Sequence, residues 1–193
     1  MPWEKQFDHD EALSKAMSAF WAQGYDATSI QDLVDCMGIN RGSLYATFGD
    51  KRSLFIRALR RYDTLYREGW VARLVKAHNP RAAIMAAFDD AIDAVLKEGS
   101  SDGCLLVNTA LELSPHDSEV SAVVSQGLAE MEYFFQHMIE QGQEVGEIPA
   151  HVPPVDTARG LLSLFIGLRV LSRSRPEEVL LRSVAKQAEA MLI

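Results

Sequence analysis

The amino-acid sequence predicts an all-α protein with an N-terminal three-helix head and a C-terminal helical bundle, about nine helices in all. Apolar residues recur at helical spacing along the chain, and no stretch alternates apolar with polar for long enough to read as a strand. Glycines, prolines and capping residues divide that pattern into segments of helical length. With 193 residues, 48% of them hydrophobic and 24% charged, the composition is that of an ordinary folded chain able to bury a sizeable core.

Helix 1 is expected from about Asp8 to Ala22, where Leu13, Ala16, Met17, Phe20 and Trp21 form an apolar stripe, and Gly24 ends it. Thr28 or Ser29 caps helix 2, whose Ile30, Leu33, Val34 and Met37 share one face up to the break at Gly38. Ile39 packs inward, and Asn40 caps a very short helix 3 ending near Phe48–Gly49. Asp50 caps a long helix 4 with Leu54, Phe55, Ala58, Leu59 and Tyr62 on one side. Asn79-Pro80 punctuates the chain, because proline disfavours helix at the residue before it and suits a first turn. Helix 5 spans about Pro80–Lys97, and Gly99-Ser100-Ser101-Asp102-Gly103 is a loop. Helix 6 covers about Cys104–Leu113, helix 7 Asp117–Glu144, helix 8 Val155–Ser172 and helix 9 Pro176–Leu192. The domain division follows as a head, residues 1–52, and a body, residues 53–193, with helix 4 crossing between them without a visible break.

The formal net charge is −8, which on its own argues against a nucleic-acid partner. Its distribution argues the other way. Residues 1–80 hold 11 Lys and Arg against 10 Asp and Glu, whereas residues 81–193 hold 8 against 17. Between Arg41 and Arg61 six basic residues (Arg41, Lys51, Arg52, Arg57, Arg60, Arg61) face one acid, Asp50, and phosphate binding answers to the local field. Two cysteines, Cys36 and Cys104, are too few for a disulfide scaffold. Glu4, Lys5, Asp8, Asp10, Glu11 and Lys15 leave no apolar stretch for an export signal at the start. The longest strongly apolar uncharged run, Gly160–Leu168, falls far short of the roughly 20 residues a spanning helix needs. A cytoplasmic protein with no membrane partner is expected.

The segment Thr28–Lys51 carries the functional signal. Two short helices joined by a glycine turn and packed on a preceding helix form a helix-turn-helix. Its second helix must be short and small or polar outside, so that its first turn enters a major groove roughly 12 Å wide. In Asn40-Arg41-Gly42-Ser43-Leu44-Tyr45-Ala46-Thr47-Phe48, Leu44 and Phe48 point inward at i,i+4, and Arg41, Gly42, Ser43, Tyr45 and Thr47 face out. Phe20-x3-Gly24-Tyr25-x2-Thr28-Ser29-Ile30, followed by Gly38-Ile39-x2-Gly42-Ser43-Leu44-Tyr45-x2-Phe48-x2-Lys51-x2-Leu54-Phe55, resembles the TetR/AcrR family of bacterial transcriptional regulators. That resemblance implies a DNA-binding, ligand-responsive repressor on double-stranded operator DNA. It assigns phosphate contacts to Thr28 and Ser29 at the start of helix 2, to Tyr45 and to Lys51, and places Arg41, Ser43 and Thr47 within reach of base edges. The family often carries a histidine or aromatic after the tyrosine; this chain has Ala46-Thr47 there.

Helix 8 is apolar around nearly its whole circumference, from Leu161 to Leu171, and such a helix must be covered on all sides. Gly160, Ser163 and Gly167 fall on one stripe that would let another helix approach, so a homodimer through helices 8 and 9 is expected. In the resembling family the body binds a small-molecule effector, and Trp70, Met85, Phe88, Cys104, Asn108, Phe134 and Phe165 are the candidate lining residues. Cys104, at a helix start, is also a candidate redox thiol. Cys36, among Asp32, Asp35 and Met37, is expected to be packed or inert. His9, His78, His116, His137 and His151 lack metal-ligand spacing, and no phosphate loop or nucleophile motif stands out. No cofactor, metal or catalytic role is expected; the rival reading is an all-α small-molecule carrier or enzyme with a vestigial head.

Overall fold

A computed structural model of the chain describes residues 7–97, 99 and 102–193. Glu4, Lys5, Ser100 and Ser101 lie outside the described residues. Among the described residues there are nine helices and no strand: α1 (His9–Gln23), α2 (Ile30–Met37), α3 (Arg41–Phe48), α4, α5 (Pro80–Leu96), α6 (Leu105–Glu112), α7 (Ser118–Glu144), α8 (Pro154–Ser174) and α9 (Glu178–Ala190). Helix α4 is built of Lys51–Tyr62, a π-helical segment Asp63–Glu68, and Gly69–Ala77, with helical backbone angles across both junctions.

Local chemistry explains most of the ends. Asp8, Ser29, Asn40, Asp50, Asn79 and Asp117 each accept a first-turn N–H, a cap that stabilises a helix by about 1 kcal/mol. Of the two candidates for the α2 cap, Ser29 takes the position in a reciprocal capping box with Asp32. Gly38 ends α2 at φ +70°, a left-handed conformation that a side chain would strain, and so turns the chain into α3.

Two buried clusters organise the packing. One gathers α1, α2, α3 and α4 as far as Tyr62, and it takes in Leu105 and Leu106 of α6 and Val120 and Val124 of α7. The other gathers α5, the second half of α7, α8 and α9, with Leu74 from the end of α4. The head's core therefore continues into α4 and receives side chains from the body. Phe20, Phe55 and Tyr25 lock it, with Phe20 and Phe55 edge to face at 5.0 Å.

The expected continuity of α4 needs one correction. Its hydrogen-bond register shifts at Asp63–Glu68, where the Arg67 guanidinium is buried between Asp63, Glu68 and Glu130 of α7. Three carboxylates converge there, and the guanidinium lies among them. π-Helical turns of this kind are frequent at functional sites.

Candidate DNA interface and effector cavity

The outer face of α3 is built as its spacing predicts. Leu44 and Phe48 are buried, whereas Arg41, Gly42, Tyr45 and Ala46 are exposed and Ser43 and Thr47 half-buried. Asn40 Oδ1 accepts the Ser43 N–H at 2.8 Å, and a Cβ at Gly42 would stand 3.2 Å from that same oxygen. Glycine therefore keeps the first turn clear where it would meet a groove. Tyr45 is 47% exposed. Lys51 lies over the Tyr25 ring at 4.4 Å and reaches Asp26 O at 3.5 Å, which holds its ammonium against the turn between α1 and α2.

Thr28 and Ser29 are placed differently from the expected phosphate donors. Thr28 is 0% exposed and its hydroxyl donates to Gly24 O at 2.6 Å, so it holds the α1–α2 turn. The Ser29 hydroxyl and N–H both go to the Asp32 carboxylate, at 2.6 and 2.8 Å. Neither hydroxyl faces outward unengaged, and the nearest acceptor of both Ser29 donors carries the same charge as a phosphate.

The basic run is also partly neutralised by tertiary contacts. Arg52 pairs with Asp117 at 2.5 Å and Glu119 at 3.1 Å, Arg60 with Glu119, and Arg61 with Asp10. Arg57 donates to Thr47 O at 3.1 Å. Of the six cations, Arg41, Lys51 and Arg57 have no carboxylate partner among the described residues. The Arg52 contact, together with two backbone N–H groups of α7, draws the Asp117 carboxyl down to about 2.

A cavity of about 770 Å³ opens between α1, α4, α5, α6, α7 and α8. Of the seven candidate lining residues it brings together Trp70, Cys104 and Phe165. The other four are placed elsewhere. Phe88 and Phe134 are core side chains, and Phe88 supports Phe165 edge to face at 5.5 Å. Met85 packs on the body's core, and Asn108 spends its amide on Asp102 O at 2.9 Å. Sequence reasoning missed Trp21, Tyr62, Arg67 and Arg169 as lining residues. Arg169 follows Phe165 at i+4, a spacing that was readable; Trp21 belongs to the head and had no local signal. Tyr62 donates to Cys104 Sγ at 3.5 Å, and burial followed by the neighbouring thiol pushes its phenol well above the usual range. Cys36 is exposed on α2 rather than packed, and the alternative expectation of an inert thiol fits its contact with Leu33 O at 3.3 Å and the burial of its sulfur, which pushes its pKa up.

Helix α6 connects cavity and head. Leu106 and Val107 line the cavity near its start, and Glu112 at its end accepts the N–H groups of Tyr25 at 3.1 Å and Asp26 at 2.9 Å.

On α8, Leu161 and Leu168 enter the body's core, while Leu162, Phe165 and Ile166 face the cavity. The expected stripe of small residues is split. Gly160 is covered by Met191 of the same chain, whereas nothing lies within 4 Å of a Cβ placed at Gly167. Ser163 and Val170, on the same face as Gly167, are exposed. Among the described residues no helix is long and apolar enough to cross a membrane.

Residues 12–58 match the family model for bacterial regulatory proteins of the tetR family, and residues 80–187 match the tetracyclin repressor-like C-terminal domain. The HTH-type transcriptional repressor ComR of Escherichia coli is 32% identical over 170 residues, covering 88% of this chain and 81% of its own. The regulator YezE of Bacillus subtilis is 32% identical over 144 residues, covering 75% and 74%. A cysteine-substituted TetR family regulator, CifR, solved with 26-base-pair operator DNA, superposes with a TM-score of 0.86 at 27% identity over 98% of this chain and 99% of that one. The reduced form of Escherichia coli NemR gives 0.86 at 18% identity over 95% and 96%, a likeness of fold. With both parts of the chain matched by the family's models and a curated repressor aligned along most of both sequences, this chain belongs to the TetR family of DNA-binding transcriptional regulators.

Proposed function

We propose that two copies of this chain occupy a pseudo-palindromic operator as a cytoplasmic repressor and leave it when a small molecule fills the cavity. The observation that carries this is a single helix, α6, bearing cavity side chains at one end and the Glu112 clamp on the head at the other. The head, residues 1–52, presents the first turn of α3. Arg41, Ser43 and Thr47 reach for base edges, and Tyr45 and Lys51 contact phosphate. Two-fold symmetry places two such helices in successive major grooves.

The body, residues 53–193, dimerises through α8 and α9. Its open stripe Ser163–Gly167–Val170 and the 85% exposed Val179 are the surfaces that favour this. Effector binding acts through α4 and α6 together. The register break at Asp63–Glu68 lies beside the cavity, so α4 can rearrange there, while α6 carries displacement to the Tyr25–Asp26 turn on which Lys51 rests. A ligand shifts the equilibrium only by its difference in affinity for the two arrangements.

The test is a footprint upstream of the protein's own gene, followed by titration of that duplex at rising salt. Several released counterions should give a steep linear fall of log K with log salt, and a scrambled duplex should bind far more weakly. Equal affinity for both duplexes would overturn the repressor reading.

A further inference from the structure

The geometry points to a planar aromatic anion as the class of molecule this cavity takes, an inference that rests on the cavity being the effector site. Flat rings furnish much of its wall. Trp70 and Phe165 stack with centroids 5.8 Å apart and planes 21° apart, and Tyr62 and Tyr66 do so at 5.3 Å and 19°. Trp21 meets Tyr62 and Tyr66 edge-on at 4.9 and 5.2 Å. Rings packed this way offer flat faces and polarised edges to another ring of similar thickness.

The charged groups at the wall are not equally paired. Four cations (Arg67, Arg73, Lys97, Arg169) and two carboxylates (Asp90, Asp93) line the cavity. Both carboxylates are engaged: Asp90 accepts the Trp70 indole N–H and Asp93 the Lys97 ammonium, each at 2.8 Å. Arg67 is enclosed by Asp63, Glu68 and Glu130. Arg169 differs from these. It is half-buried, stands one turn from Phe165, donates to Gly103 O, and has no carboxylate partner among the described residues. A guanidinium carries five N–H donors in a planar fork that matches a carboxylate or sulfonate. Arg73, exposed at the rim, adds charge of the same sign. An aromatic anion satisfies both features: its ring lies against Tyr66, Trp70 and Phe165, and its acidic group meets Arg169. A neutral ligand would leave the guanidinium without a counter-charge, and a cationic one would oppose it.

Two dyes sharing one ring system separate this proposal from the reading beneath it. 8-Anilinonaphthalene-1-sulfonate carries the anion; N-phenyl-1-naphthylamine is its uncharged parent. Titrating each into the full-length dimer and following dye emission should show the sulfonate binding about tenfold tighter, the scale of one charge-assisted contact. Arg169→Gln should erase that preference by weakening the sulfonate about tenfold while leaving the parent within about twofold. Arg169→Lys, which keeps the charge, should retain most of it. Ile166→Trp, which fills the cavity, should abolish binding of both dyes. If the uncharged parent binds as tightly as the sulfonate and Ile166→Trp blocks both, the cavity stands as a ligand site and the anion class is wrong. If neither dye binds, or both bind undiminished to Ile166→Trp, the assignment of this cavity as the effector site falls as well. The comparison on the unmodified protein decides the class even if an arginine variant does not fold.

Discussion

Glu112, on the last turn of α6, accepts the backbone N–H of Tyr25 at 3.1 Å and so ties the body to the turn between α1 and α2 of the head. The neighbouring Asp26 N–H goes to the same carboxylate at 2.9 Å, and Asp26 O receives Lys51 at 3.5 Å. One carboxylate thereby orients the turn that seats the proposed phosphate-binding lysine. Glu112→Ala leaves two N–H groups without their charged acceptor and should lower stability by about 1–3 kcal/mol, toward the lower end because water can replace part of the contact. Hydrogen exchange at the Tyr25 and Asp26 amides should quicken relative to amides in α2. Unchanged protection at both amides would show that the clamp does not hold in solution.

Arg52 and Asp117 tie α4 to the start of α7, and the aspartate's pKa of about 2 sets the pH range in which that tie acts. The folded value lies below the ordinary 3.8, so the stabilisation is complete above about pH 4. It is lost as pH falls through the folded value. Asp117→Asn should therefore melt at a lower temperature than the parent at pH 6, and the difference should shrink between about pH 4 and pH 2. A gap that is constant down to pH 2 would show that the charge on this carboxylate does not carry the stabilisation.

The two classes of contact at α3 should respond differently to substitution. Lys51→Ala should weaken binding to every duplex and reduce the salt slope by about one. Arg41→Ala should instead relax preference at one base pair in each half-site, by about 1–3 kcal/mol. Competition binding with operator and scrambled duplexes distinguishes them. Equal losses on both duplexes for Arg41→Ala would remove its base-reading role.

Gly167 and Gly160 make a matched pair for testing the dimer. Gly167 has open space where a side chain would go, so Gly167→Trp should leave the protomer folded and split the dimer. Gly160→Trp would displace Met191 and should cost protomer stability first. Sedimentation and thermal melting read the two effects separately. A fully dimeric, folded Gly167→Trp protein would move the interface off this face of α8.

The sequence by itself determined the helices, their caps and the outward set on α3, because helical period, an Asp or Asn before a first turn, and a glycine at positive φ act within a few residues. Its fifty-residue head pattern was also sufficient to indicate the family. Tertiary structure decided which of those side chains remain available. Thr28 looked like an exposed hydroxyl until packing buried it, and Arg52, Arg60 and Arg61 looked like a basic patch until acids from α1 and α7 came to meet them. At the π-helical turn Asp63–Glu68, Glu130 comes from far along the chain to join Asp63 and Glu68 around Arg67. Cavity membership was likewise beyond local reading. Phe88 and Phe165 were both candidate lining residues, but one is enclosed by its neighbours and the other faces open space with Arg169 beside it. A side chain's rotation about its own helix follows from its spacing, but what stands opposite depends on how the other helices pack.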